Sequence, residues 1–232
     1  MRHAAKCSRF EFRLIIARKS GIISVDMPAN WLRSFIAGLL LLLPAVGTTG
    51  LAGDAMAQGD PLVGKLLIAS PSQNEAIFAH TVILVVEHNE AGALGIVINQ
   101  PFEEVSIASL LERTGKKDPG VEGKVRVFAG GPMEPGVGFI VHSTDYHRPE
   151  TLAIDERIAM TSNPEVLRDI GHKKGPSKSL VAFGYAGWGP GQLEVELARH
   201  DWSTISEDPA LIFDDDRQQV WDHAMARLGQ PL

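Results

Sequence analysis

The sequence predicts a single compact α/β domain of the α+β type, with a mixed, mostly antiparallel sheet curled toward a barrel and short flanking helices. Short apolar and β-branched runs recur along the chain after residue 60. Tight turns join several of these runs as hairpins, and the sequence contains few of the helical crossovers that a parallel sheet needs. With 232 residues and 44% hydrophobic content, the chain is long enough for one domain with a substantial hydrophobic core and too short for two domains of typical size.

The first half of the domain is predicted to form a hairpin and then a helix. The hairpin follows from the turn at Glu90-Ala91-Gly92, which separates two apolar runs. The helix follows from Ile107, Leu110 and Leu111, whose spacing places them on one helical face. The predicted elements are strands at 65–69, 81–87 and 94–99 and a helix at 106–113.

In the second half, turn and capping residues separate the predicted elements. The turn at Gly130-Gly131-Pro132 divides two strands, Asn163 caps a helix, and Asp215 or Asp216 caps the last helix, which runs to Leu228. The short runs 151–153 and 158–160 predict an edge hairpin. The remaining predicted elements are strands at 124–129, 138–142, 179–184 and 202–205 and helices at 164–172 and 192–200.

The stretch Phe183–Glu194 has an unusual density of glycine and aromatic residues. It predicts a turn that follows the strand at 179–184 and leads into a helix, with Gly187 or Gly189 at positive φ and Pro190 in the first helical turn. A helix N-terminus behind a glycine-rich loop can hold an anion. The lysine of GxxxxGK[ST] is absent, however, and so is the GxGxxG spacing, so the stretch gives little support for phosphate binding.

Several segments resemble the YqgE/AlgH family. They occur in the same order as in the family and span roughly residues 62–229: Leu66-Leu67-Ile68-Ala69-Ser70-Pro71 with Phe78, Glu87-His88, Gly92-Ala93-Leu94-Gly95, Val97-Ile98-Asn99-Gln100-Pro101, Gly130-Gly131-Pro132 and the Phe183–Glu194 stretch. The resemblance implies a compact α/β fold without an established catalytic activity. Some members of the family carry the label of a transcriptional regulator.

Residues 1–57 are predicted to be a leader, and residues 58–232 the globular domain. The apolar run Phe35–Val46 is too short to span a membrane and is typical of a signal peptide, and Ala55-Met56-Ala57 is a cleavage pattern. We therefore expect translation to start at Met27, cleavage after Ala57 and export to the periplasm or envelope. An uncleaved leader would instead anchor the protein in the membrane, and a start at Met56 would leave the domain in the cytoplasm.

Charge and cysteine content exclude several kinds of function. The whole chain has a net charge of −6, and because residues 1–33 carry +5 and Asp54 carries −1, residues 58–232 carry −10. Such an acidic domain repels polyanions, so direct nucleic-acid binding is not expected. Cys7, the only cysteine, lies in the leader, which excludes disulfides and thiol chemistry from the domain.

Polar residues at the predicted strand ends and turns are the candidates for a site. If the hairpin forms, we expect His88 and Asn99 to lie near each other, and with His142 they could bind a metal or act in acid–base catalysis; the alternative is a purely structural role. Trp188 is predicted either to fill the core or to be exposed on a binding face. The full set of candidate binding residues is His88, Asn99, Gly130, Gly131, His142, Tyr185, Gly187, Trp188, Gly189, Gln192 and Glu194.

Two functional hypotheses follow from these residues. The first is a non-enzymatic binding or regulatory module in the bacterial envelope, with an unknown protein or small molecule as its partner. The second is a small-molecule-binding protein or enzyme with a pocket lined by His88, Asn99 and the loop Gly184–Glu194. The sequence contains no recognisable nucleophile motif, metal-ligand set or phosphate loop, so no catalytic residue, metal site or cofactor is predicted.

Overall fold

A computed structural model describes residues 62–73, 75–214 and 216–228, which belong to one compact unit. The predicted leader, with its start at Met27 and its cleavage after Ala57, lies outside the described residues, and so does Asp215. Within the described part of the chain, every helix is too short or too polar to span a membrane.

Within the described residues, the domain contains ten strands and four α-helices. A 3₁₀ turn at Ala76–Phe78 and a π-helix at Ala210–Asp214 complete it. The strands are β1 (Leu66–Ala69), β2 (Val82–Asn89), β3 (Gly92–Val97), β4 (Pro101–Ser106), β5 (Lys124–Ala129), β6 (Met133–Ser143), β7 (Leu152–Ala153), β8 (Ile158–Thr161), β9 (Ser179–Trp188) and β10 (Trp202–Ile205). The α-helices are α1 (Ile107–Arg113), α2 (Glu165–Gly171), α3 (Gln192–Ala198) and α4 (Val220–Ala226).

All ten strands form one curled sheet. Its main order is β10-β1-β2-β3-β9-β6-β8-β7, and β4 joins through β5, which also pairs with β9. Every pairing is antiparallel except that of β5 with β9. The predicted mixed, mostly antiparallel sheet is therefore confirmed, and so are the hairpin of β2 with β3 and the edge hairpin of β7 with β8.

The two faces of the sheet are both apolar, and each is covered by helices. In β1, Leu66 and Ile68 face the main core, whereas Leu67 and Ala69 face the opposite side, as the period of two in a strand requires. The π-helix and α4 pack on the main core. On the opposite face, α3 covers one cluster and α1 and α2 cover another. Each large aliphatic side chain buried in this way stabilises the fold by about 1.5–3 kcal/mol.

Polar side chains bond to the backbone at the start of two helices. Ser106 caps α1 because its Oγ accepts a hydrogen bond from the backbone N–H of Ser109 at 3.1 Å. The Asn163 side chain accepts from the backbone N–H of Glu165 at 2.9 Å at the start of α2. The side chain of Asp216 instead accepts from Gln218 N at 3.1 Å, in the turn before α4.

The structure corrects the sequence prediction in three places. The unpredicted strand β4 carries the exposed pair Glu103-Glu104, which hides the alternation expected of a strand. The unpredicted π-helix packs Leu211 and Ile212 into the core. The predicted turn after residue 184 is also wrong, because β9 continues to Trp188 through pairing with β3.

Candidate functional site

His88 and Glu194 join the end of β2 to the first turn of α3. The Nε2 of His88 lies 2.6 Å from Oε1 of Glu194, and the Glu194 side chain is 52% exposed. The hydrogen bond from His88 lowers the pKa of Glu194 more than any other interaction does, so Glu194 is a carboxylate at neutral pH. The sequence singled out both residues, and the structure brings them together.

Glu196 fixes the same helix to the sheet through two tryptophans. Its Oε2 accepts hydrogen bonds from the indole Nε1 of Trp188 and of Trp202, each at 2.8 Å. The two indole rings pack edge to face with their centroids 6.1 Å apart. Gln192 Nε2 donates to the other oxygen of Glu196 at 2.9 Å.

Trp188 is therefore a core residue, because only 8% of it is exposed. Of the two roles that the sequence left open for it, the structure selects the structural one. Sequence reasoning missed Glu196 and Trp202 as the partners of Trp188. The presence of a carboxylate between two tryptophans in the same segment is the signal that could have indicated them.

Gly131 and Gly184 let two backbones approach each other closely. A Cβ at Gly131 would collide with the backbone of Tyr185, and one at Gly184 would collide with the Gly131 carbonyl oxygen. Gly184 has φ of 76°, a left-handed conformation that favours glycine. Gly130 also takes part in this contact, since its N–H donates to the carbonyl of Phe183 at 2.7 Å.

The prediction of positive φ at Gly187 or Gly189 is wrong. Besides Gly184, the left-handed residue of the Phe183–Glu194 stretch is Gly191, with φ of 70°, and it forms the N-cap of α3. Gly189 precedes α3, and its N–H donates a hydrogen bond to the side-chain oxygen of Gln192 at 3.1 Å. Gly187 lies within β9 and is exposed.

Asn99 lies at the opposite end of the hairpin from His88. Its Oδ1 accepts from the N–H of Val82 at 2.9 Å, and its Nδ2 donates to the carbonyl of His80 at 2.9 Å. Val82 begins β2 and His88 is six residues further on, which corresponds to about 20 Å of strand. The expectation that His88 and Asn99 are neighbours is wrong, because the antiparallel register places Asn99 beside the start of β2.

His142 belongs to a different environment again. It is fully buried in β6, its Nδ1 lies 2.8 Å from the carbonyl oxygen of Ser143, and its ring packs edge to face on Tyr146 with centroids 5.6 Å apart. Tyr185 is also separate, because its hydroxyl donates to Glu134 at 3.3 Å, and burial is the main cause that raises its pKa. The structure therefore does not gather His88, Asn99 and His142 into one cluster.

A small cleft lies between the helices α1 and α2 and the strands β6 and β9. Its volume is about 20 Å³, which is room for about one water molecule. It is lined by Leu110, Thr114, Gly138, Phe139, Ile140, Ser162, Pro164, Leu167, Val181 and Phe183. None of the candidate site residues lines this cleft. Among the described residues, no group of three or more His, Cys, Asp or Glu side chains could hold a metal ion.

The fold and the site together define a class: single-domain α/β proteins with a curled, mostly antiparallel sheet and few short helices. The chain belongs to the AlgH-like family, since the family model described as DUF179, AlgH-like, matches residues 66–232. The resemblance noted in the sequence is confirmed.

Curated relatives and solved structures agree with this assignment. A UPF0301 protein of Jannaschia sp. (strain CCS1) is 44% identical over 170 residues, which cover 72% of this chain and 88% of the relative. The solution structure of the AlgH protein from Pseudomonas aeruginosa matches with a TM-score of 0.64 and 38% identity, covering 75% of this chain and 93% of that one. A crystal structure of a Corynebacterium diphtheriae protein matches with a TM-score of 0.58 and 25% identity, covering 77% and 92%.

Proposed function

We propose that residues 58–232 form a non-enzymatic interaction module of the bacterial envelope, which binds a protein partner through the outer side of α3. The carrying observation is the contrast between the two sides of this helix. Leu193 is buried against the sheet and Glu196 is bonded to two indoles, whereas Val195 is 55% exposed. A rigidly held helix that presents an apolar side chain to solvent is a suitable protein-binding surface.

The polar groups around Val195 suggest the chemistry of the partner. Glu194 is an exposed carboxylate on the same helix, and the hairpin to which His88 ties it carries exposed Glu87 and Glu90. Together with the net charge of −10 on residues 58–232, these carboxylates favour a partner with a basic surface. The same charge opposes nucleic acid, whose phosphates would be repelled.

The alternative of an enzyme or small-molecule-binding protein has less support. It required His88, Asn99 and the Gly184–Glu194 segment to line one pocket, but Asn99 bonds to Val82 and His80 at the other end of the hairpin. Several residues of that segment are occupied in fixing α3 and β9, as the bonds of Trp188 and Gln192 show.

The envelope location rests on the leader sequence. Cleavage after Ala57 would give a mature protein beginning at Gln58. N-terminal sequencing of the protein from its native cells tests this part separately: a first residue of Met56 would support the cytoplasm, and a retained 27–57 segment would support an anchor.

A site-specific crosslinking experiment tests the binding surface. The photoreactive residue p-benzoylphenylalanine replaces Val195 or, as the matched control, Leu152, an exposed apolar residue of β7 that is 49% exposed. We expect a discrete protein adduct in native cells from position 195 and none from position 152. The partner identified in this way should then bind the purified Val195→Asp variant at least tenfold more weakly and the Leu152→Asp variant unchanged. Equal crosslinking at both positions, or none at 195, would contradict the proposal.

A further inference from the structure

His142 is a buried histidine with one ring nitrogen left unpaired. Its side chain is fully buried, and its Nδ1 must carry the proton because the Ser143 carbonyl oxygen, 2.8 Å away, can only accept. The other nitrogen, Nε2, is inaccessible to solvent and has no hydrogen-bond partner among the described residues. The structure therefore holds His142 as a neutral imidazole whose Nε2 lone pair accepts no hydrogen bond from the described residues.

Tyr146 covers the His142 ring and is itself fastened to α2. The two rings meet edge to face with centroids 5.6 Å apart. The Tyr146 hydroxyl donates to Oδ2 of Asp169 at 2.5 Å, and Nη2 of Arg148 donates to the same oxygen at 2.6 Å. Asp169 lies on α2, so the segment after β6 that packs on His142 is joined directly to that helix.

The charged groups around His142 provide little compensation for a second proton. The neighbouring strands β8 and β9 place uncharged Ala159 and Ser179 beside it. In the segment that follows β6, Asp145 favours the protonated ring and His147 opposes it. From α2, Asp169 is already neutralised by Arg148.

Burial has the largest effect on the ring and lowers the pKa of His142 below its ordinary value. A proton on Nε2 would place a charged donor without an acceptor in an apolar layer, which is unfavourable. Because Tyr146 packs against the ring, moving it aside would give water access to the imidazole. Opening therefore becomes more favourable as the pH falls.

We propose that His142 and Tyr146 form an acid-sensitive latch, in which protonation of His142 displaces the 144–148 segment and loosens α2. The open state takes up a proton with the ordinary affinity of histidine, at a pKa of about 6.5, whereas the closed state resists it. Lowering the pH from 7.5 to 5.5 then raises the opening equilibrium constant by up to about tenfold. The fold provides the device without a ligand or metal.

Amide hydrogen exchange at pH 7.5 and 5.5 tests the latch, with rates corrected for the intrinsic effect of pH. The chain is compared with His142→Asn, whose amide can replace the Nδ1 donor, and with the matched control His147→Asn, which removes an exposed histidine from the same segment. We expect exchange in residues 143–148 and 165–171 to rise up to about tenfold in the parent and in His147→Asn, and to stay level in His142→Asn. A rise that persists in His142→Asn, or no rise in the parent, would overturn the proposal.

A histidine NMR titration of the unmodified chain gives a second test that does not depend on a variant folding. We expect the His142 ring to stay neutral at pH 6.5, where an ordinary histidine is half protonated. If the His142 ring is half protonated at that pH while the Tyr146 contacts persist, the latch does not exist.

Discussion

The helices α2 and α3 cover the same side of the sheet and are both seven residues long. They differ in the hydrogen bonding of the side chains that connect them to the sheet. Helices this short are marginal on their own, so tertiary contacts must stabilise them. Glu196 of α3 satisfies both indole donors beneath it, whereas Tyr146, which is bonded to α2, packs on a histidine whose Nε2 has no partner among the described residues. If the proposed latch operates, one sheet face carries both a fixed helix and a releasable one.

Removing the ring of Trp188 should have the largest effect on the α3 region. We expect Trp188→Ala to lower the free energy of unfolding by about 3–5 kcal/mol, because the ring is 8% exposed and packs on Trp202. Urea denaturation followed by circular dichroism measures this. In Trp188→Phe, which keeps an aromatic ring, the loss should be smaller. A Trp188→Ala variant as stable as the parent would contradict the picture of a fixed helix.

A β-branched residue at Gly184 should be the next most destabilising change. Valine there would adopt an unfavourable positive φ and collide with the Gly131 carbonyl, and we expect a loss of about 2–4 kcal/mol. Gly189 is the matched control, since its φ is not positive and a Cβ there would meet only the Gln192 side chain, 3.8 Å away. Gly189→Val should cost about 1 kcal/mol or less. Equal melting temperatures for the two variants would refute this assignment.

Replacing the carboxylate of Glu196 should have an intermediate effect. In Glu196→Gln the amide oxygen can still accept from both indoles, but those hydrogen bonds lose their charge and the amide nitrogen faces Nε2 of Gln192, which loses its acceptor, at a cost of about 1–2 kcal/mol. Tryptophan fluorescence should change with it, since both indoles lose a charged neighbour. An unchanged spectrum and stability would mean that the two hydrogen bonds do not hold α3.

The smallest expected effect is the change with pH in the stability of the α3 and α2 regions. It is also the effect that distinguishes the two helices most directly. The pKa of Glu194 is lowered in the fold, so its contribution is present above its unfolded value of about 4.5 and is lost only as the pH falls through the lower folded value. Because Glu194 is half exposed, this contribution should be below about 1 kcal/mol. Between pH 7.5 and 5.5, amide exchange in α3 should therefore stay constant while α2 loosens. Parallel changes in both helices would remove the distinction.

Local patterns in the sequence predicted most of the sheet. The apolar, β-branched runs at 81–87 and 94–99 and the turn at 90–92 identified the hairpin, and Asn163 marked a helix start. The end of β9 was missed because glycines locally favour a turn, and only pairing with β3 keeps the chain extended there. The register of the β2–β3 hairpin places Asn99 far from His88. The positions of the strand ends in the sequence do not reveal this distance.

The site was predictable only in part, for a related reason. His88 and Glu194 are 106 positions apart, and nothing in their spacing shows that β2 and α3 meet. Glu196 lies near both its tryptophans in the chain, but the convergence of the two indoles depends on how β9 and β10 are placed in the sheet. The packing of Tyr146 on His142 likewise depends on tertiary structure, since Tyr146 is held by Asp169 of α2.

The pairing of β1 with β10 has a consequence for the timing of folding. Leu66 lies opposite Ile205, so β1 finds its edge partner only after the long intervening segment has been synthesised. At about 5–20 residues per second, the roughly 140 residues from Leu66 to Ile205 take about 7–28 s to make. Such non-local pairing also slows folding itself. The nascent domain therefore spends seconds without its final sheet edge, during which a chaperone or an export machine that accepts unfolded chains can engage it.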